Sequence, residues 1–151
     1  MIRFETEQTI ERSADDTYAA DIGRHTEWMA VTDARLIEGN GAEVGARARE
    51  RLTMGPFRWD VDLIVSEAVP GRRIVWRSVG GAPFHGDVAL DLAPLGQTST
   101  RVTYGAAIQM HGLWRLLSPL MAMEGKAGQA RELRLLKEHM ETAPAMAPAA
   151  S

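Results

Sequence analysis

The chain has 151 residues, 45% of them hydrophobic and 25% charged, which is the balance of one globular domain with a core of its own rather than of a disordered polymer. Its 17 basic and 20 acidic residues leave a net charge of −3, the wrong sign for a nucleic-acid binder, and the absence of cysteine excludes disulfides, thiolate catalysis and cysteine-held metals. The charged start Met1-Ile2-Arg3-Phe4-Glu5 has no signal-peptide apolar region and no apolar run is long enough to span a bilayer, so a cytoplasmic domain without an integral membrane segment is expected.

In chain order, Ile2, Phe4, Thr6, Gln8 and Ile10 alternate with Arg3, Glu5, Glu7 and Thr9, which predicts a strand with one wet face. Ser13 follows as an N-cap, with Asp15 and Asp16 in a first helical turn where acids favour the helix dipole. A short helix over Ala14 to Ala20 and a second around Arg24 to Met29 are expected, with Gly23 between them.

From there to Met110 turns recur at Gly39-Asn40-Gly41, Gly55-Pro56, Pro70-Gly71, Gly80-Gly81 and Pro94-Leu95-Gly96. Between them lie alternating rows: Arg47, Arg49 and Arg51 on a wet face, then Phe57 to Val65, Ile74 to Ser78, Val88 to Leu92 and Val102 to Met110. Hairpins of this kind give an antiparallel sheet covered on one side only. The cover is the segment after Gly112. Leu113 to Leu117 predicts a short helical lead-in, and Ser118-Pro119 a cap with proline at the first helical position. The apolar row Leu120, Met123, Ala127, Ala130, Leu133, Leu136, Met140 advances in helical steps. That helix should end near Thr142, leaving a domain over residues 1–142 and an Ala/Pro-rich, disordered tail over residues 143–151.

The phrase Ile10-Glu11-Arg12-Ser13-Ala14-Asp15-Asp16-Thr17-Tyr18 resembles the strand-to-helix junction of the START-like (SRPBCC) superfamily, in its polyketide cyclase/dehydratase-like branch. Asp21, Glu27-Trp28-Met29, Val44-Gly45, Thr100-Arg101-Val102-Thr103-Tyr104, Gly112-Leu113 and Leu116-Leu117-Ser118-Pro119-Leu120 fit the same pattern, over about Ile2 to Glu141. The resemblance implies an α+β helix-grip fold: a curved antiparallel sheet of about seven strands wrapped around a long C-terminal helix, with two short helices after the first strand. It also implies ligand carriers, cyclases or interaction modules, and supplies no universal catalytic motif.

The residues themselves suggest where a pocket would lie. Ala127 and Ala130, set between larger Leu120/Met123 and Leu133/Leu136 on the expected helix row, leave room above the sheet; close helix–sheet packing is the plainer alternative. Gly125 and Gly128 lie off that row, and a bend arching the helix over a cavity is one account of them. Trp28, Met54, Trp59, Trp76, Phe84 and Met123 supply apolar wall, although such residues are more often core. Glu50 points inward if Ala48, Leu52 and Met54 do, where burial would raise its pKa and suit it to acid–base work; a twist carrying it to the rim is the favoured alternative. Gln8, Glu50, Ser78 and Tyr104 form the expected polar lining, with Glu50 and Tyr104 the catalytic candidates. His25, His85, His111 and His139 make no metal-binding pattern, so no metal and no cofactor are expected. Asp60/Asp62 and Asp87/Asp91 read as outer-face charges. The leading reading is a binder of a small hydrophobic molecule (lipid, quinone or aromatic polyketide), as monomer or homodimer. A cyclase/dehydratase-type enzyme and a ligand-free interaction module are the alternatives.

Overall fold

The computed structural model describes residues 1–13, 25–29, 31–39, 43–54 and 56–142. Seven antiparallel strands form one sheet in the order β1-β7-β6-β5-β4-β3-β2. They are β1 (Ile2–Ile10), β2 (Val31–Glu38), β3 (Arg47–Met54), β4 (Phe57–Val69), β5 (Arg73–Gly80), β6 (Phe84–Pro94) and β7 (Thr100–Met110). Consecutive strands from β2 to β7 are neighbours, and β1 closes onto β7 with Ile2 opposite Ile108 and Ile10 opposite Thr100. A 3-10 turn, Gly112–Leu117, leads into the 25-residue helix α2 (Ser118–Thr142), and the short helix α1 (His25–Trp28) sits between β1 and β2 in sequence.

The wet rows fix the register. Arg49 faces Asp62, Arg51 faces Asp60, Arg73 faces Asp91 and Arg77 faces Asp87, each as a direct cross-strand partner. Their ion pairs measure 2.8, 3.0, 2.6 and 2.8 Å. Exposed pairs of this kind add little stability each. A one-residue slip, however, would set them against the wrong neighbours and turn the apolar rows outward. These aspartates are thus outer-face charges held by arginines.

The inner rows bury Val65, Ile74, Trp76, Leu90, Val102 and Tyr104 against Leu133, Leu136 and Met140 of α2. A second apolar cluster joins Val61, Phe84, Met110 and Met121 nearer the start of α2. The far end of the helix is tied to β1: Lys137 Nζ donates to the Thr9 carbonyl at 2.8 Å and to Glu141 Oε1 at 2.6 Å, and Glu141 Oε1 accepts from the Glu11 amide at 3.1 Å.

The helix is continuous from Ser118 to Thr142, the last described residue, but its buried row differs from the expected one in the first half. The row is Met121, Gly125, Gln129, Leu133, Leu136 and Met140, whereas Leu120, Met123 and Ala127 face solvent and Ala130 is half-buried. Apolarity alone favours the rejected row; close approach to β1 selects the other. A β-carbon on Gly125 would stand 2.5 Å from Phe4 Cζ, so glycine is what lets the helix lie this close. Of the two expected short helices, the second is the single turn His25–Trp28; the first, over residues 14–20, falls outside the described residues, as do Asp21, Gly23 and the tail 143–151.

Candidate functional site

Between the two apolar clusters lies a hollow of ≈120 Å³. Its wall is mainly apolar: Met29, Val31, Leu52, Val61, Leu63, Trp76, Phe84, Val88, Ile108 and Met121. Five polar side chains reach the same lining, His25, Glu50, Ser78, Tyr104 and Glu132. A wall of this kind, apolar with a few placed polar groups, is what a small-molecule site needs.

The polar groups are brought there by separate elements. Alternation along β3 carries Ala48 and Glu50 inward, while Arg49 and Arg51 take the wet face. Glu50 is buried, not at the rim, and its carboxylate meets His25 Nδ1 at 2.5 Å, with side-chain exposures of 7% and 1%. Desolvation on that scale is offset only because the two groups satisfy each other. With Glu50 ionised, Nδ1 carries the shared hydrogen, since a carboxylate can only accept. His25 Nε2 then offers a lone pair in the neutral ring, and it meets no hydrogen-bond partner among the described residues. The imidazole is clamped edge-on between Trp28 and Trp76, with ring centroids 5.8 and 4.9 Å away. Glu50 therefore orients the ring through Nδ1, and the indoles fix its plane.

Tyr104 enters from β7. Burial raises its phenol well above the usual 10.0, and the charge of Glu132, a hydrogen bond to it and the charge of Glu50 act in the same sense, while a hydrogen bond with Gln129 opposes them. The phenol thus stays protonated at any physiological pH and can only serve as a neutral hydrogen-bonding group. Gln129 is itself buried, and its Oε1 has no partner among the described residues. Ser78, by contrast, is engaged within the sheet: its Oγ accepts from the Gly86 amide at 2.9 Å and donates to the Gly86 carbonyl at 3.4 Å.

The structure thus brings Glu50, Trp76, Ser78, Phe84 and Tyr104 of the expected site residues to one hollow. Others stand apart. Trp28 is buried behind His25 and Tyr104 rather than in the lining. Trp59 is half-buried in an aromatic group with Phe57, Phe84 and Trp114. Gln8 is half-buried on β1 and outside the lining. Met123 and Ala127 are on the solvent side of α2, and Ala130 is beside the buried row, so none of the three lines the hollow. The Met54 side chain lies outside the described residues.

His25, Gln129 and Glu132 are the residues that sequence reasoning passes over. Gln129 and Glu132 sit at helical spacing from Gly125, Leu133 and Leu136, on a face whose polarity disguises it. His25 carries a weaker signal, a histidine three residues before a tryptophan on one helical face. A larger concavity of ≈830 Å³ on the outer face of the sheet includes the Arg73–Asp91 and Arg77–Asp87 pairs. Those charges already satisfy one another. Among the described residues no three His, Asp or Glu side chains are grouped to hold a metal ion, and no helix is long and apolar enough to cross a membrane.

A family model described as polyketide cyclase/dehydrase and lipid transport matches residues 1–141. No curated protein sequence matches the chain. Among solved structures, a START superfamily protein from Mycobacterium smegmatis superposes with a TM-score of 0.79 at 12% identity, covering 93% of this chain and 98% of that one. The aromatase/cyclase Zhui from Streptomyces sp. R1128 gives 0.76 at 11% identity, covering 92% and 93%. Norcoclaurine synthase from Thalictrum flavum, solved in complex with dopamine and hydroxybenzaldehyde, gives 0.66 at 15% identity, covering 94% and 88%. At these identities the likeness is one of fold: a seven-stranded curved sheet gripping a long C-terminal helix.

Proposed function

The chain belongs to the polyketide cyclase/dehydrase and lipid transport family, and we propose that it binds a small, largely apolar molecule of about single-ring size between the sheet and α2. The observation that carries this reading is a buried polar set, Glu50–His25 and Tyr104, in a mainly apolar wall. An apolar cavity of roughly 150 Å³ holds benzene, so a hollow of ≈120 Å³ suits one ring or a short chain. A lipid, a long-tailed quinone or a multi-ring polyketide would require the wall to widen. Dopamine and hydroxybenzaldehyde, the molecules seen in the norcoclaurine synthase structure, are single-ring phenols and support this size class for the fold.

The Glu50–His25 contact favours a second reading, in which the bound molecule is also changed. A histidine held by a carboxylate through Nδ1 has the build of a general base. His25 Nε2 would take a proton from a carbon beside a carbonyl. In a dehydration the carbon–hydrogen electron pair forms the new double bond. The departing hydroxyl receives the proton from the imidazolium and leaves as water. This is chemistry of the cyclase/dehydratase type.

The test is a thermal-shift and calorimetric screen with single-ring phenols and aldehydes beside fatty acids and long-tailed quinones. A ligand at about a hundred times its dissociation constant adds roughly 2.7 kcal/mol, or several degrees in a domain of this size. A saturable shift for ring-sized compounds, weakened in Glu50→Gln, is expected. Binding confined to long-chain compounds would refute the size class. Deuterium uptake from heavy water beside the carbonyl of a bound compound, present in the wild type and absent in Glu50→Gln, would carry the second reading. Equal uptake in both would remove Glu50 from it.

A further inference from the structure

The solvent side of the segment that leads into α2 bears a second feature. Leu113 and Leu116 on the 3-10 turn are 84% and 79% exposed, and Leu120 and Met123 on the first turns of α2 are 51% and 72% exposed. Their spacing of three, four and three residues strings them along one row of a continuous helical segment. Large apolar side chains are seldom left in water as a group. The segment from His111 to Met123 contains no acidic residue, and its one arginine, Arg115, is exposed and lies between Leu113 and Leu116 in sequence. Beneath the row the segment is firmly seated: Trp114 packs on Phe57 and Trp59 with ring centroids 5.2 and 5.7 Å away, and Met121 reaches the wall of the hollow.

We propose that this row is a docking surface for an anionic lipid interface. The four apolar side chains would enter the boundary between acyl chains and headgroups, and Arg115 would lie among the phosphates. A second copy of the chain suits the row less well. A stable dimer uses roughly 20–30 residues a side, whereas this is a ridge four side chains long. A lipid surface needs no shape complementarity and accepts a ridge. Seated in this way, the protein would hold Met121, and with it the wall of the hollow, within one helical turn of the acyl boundary. That is a short path for an apolar molecule leaving the bilayer. The docking itself does not depend on what the hollow binds.

The test is co-sedimentation with vesicles of phosphatidylcholine mixed with phosphatidylglycerol, with sizing by light scattering in parallel. The wild type should partition onto these vesicles, and the exposed double variant Leu113→Ser/Leu116→Ser should lose about tenfold or more in partition coefficient with its melting temperature unchanged. Ile37→Ser, an exposed site on β2, should bind as the wild type does. Wild-type protein left in the supernatant at millimolar lipid would overturn the proposal, as would a double variant that sediments equally. So would a micromolar wild-type dimer that the double variant converts to monomer, because the row would then belong to a second copy.

Discussion

Glu50→Ala is expected to cost about 3–5 kcal/mol, because it breaks a buried, mutually satisfied pair and strands the remaining partner. The figure follows from the geometry. The contact is 2.5 Å, the two side chains are 7% and 1% exposed, and His25 Nε2 has no partner among the described residues to offset the loss at Nδ1. At about 2–4 °C per kcal/mol for a chain of this length, the melting temperature read by far-ultraviolet circular dichroism should fall by roughly 6–20 °C. A double-mutant cycle with His25→Ala should return a coupling of at least about 1.5 kcal/mol. The informative variant is the paired replacement Glu50→Leu/His25→Leu. It removes both desolvation penalties at once and should be near neutral or more stable than the wild type. A stable paired variant that no longer responds to any ligand would separate the pair's service to function from its service to the fold. A Glu50→Ala variant melting within about 2 °C of the wild type would refute the reasoning, since the carboxylate would then have to be solvated.

Two further outcomes follow from the helix and the phenol. Gly125→Ala should destabilise by about 1–3 kcal/mol through overpacking against Phe4, with Phe4→Leu restoring much of the loss. Gly128→Ala meets nothing within 4 Å and should stabilise by up to about 1 kcal/mol; chemical denaturation of the two variants gives opposite signs or the close-approach account fails. Tyr104 has a folded pKa raised above its usual 10.0, chiefly by burial. Its protonated form is retained in the folded state while the unfolded chain ionises, so its contribution is complete below 10.0 and declines as pH rises from there toward the folded value. The stability difference between wild type and Tyr104→Phe should therefore shrink in urea titrations taken above about pH 10. A difference that stays constant with pH would mean the phenol is not desolvated.

The sheet was legible because most strands alternate, and because arginines and aspartates on the wet rows leave the apolar rows one way to face; β2, whose burial does not alternate, gave no such row. The start and course of α2 were legible for the same kind of reason, a cap at Ser118-Pro119 and a helical period up to Met140. Its face was not. Apolar periodicity points to Leu120, Met123, Ala127 and Ala130, whereas the buried row takes in Gly125 and Gln129, because a helix that approaches β1 closely and walls a hollow bearing a few polar groups is not selected for apolarity alone. Glu50 is an intermediate case: alternation along β3 turns it inward, and burial becomes tolerable only through a histidine 25 positions earlier. That pairing is tertiary, and no local pattern announces it.

The closure of β1 onto β7 bears on how the chain reaches this state. Ile2 faces Ile108 and Ile10 faces Thr100, and β1 lies at the edge of the sheet, so among the described residues its only strand partner is β7. During synthesis at about 5–20 residues per second, the first strand to emerge waits roughly 5–20 seconds for its mate. The hairpins from β2 to β7 can pair in turn as they are made. The late step is then a long-range capture of β1, together with α2 and its Gly125 contact to Phe4. Loop closure over about a hundred residues makes that step slow relative to hairpin formation.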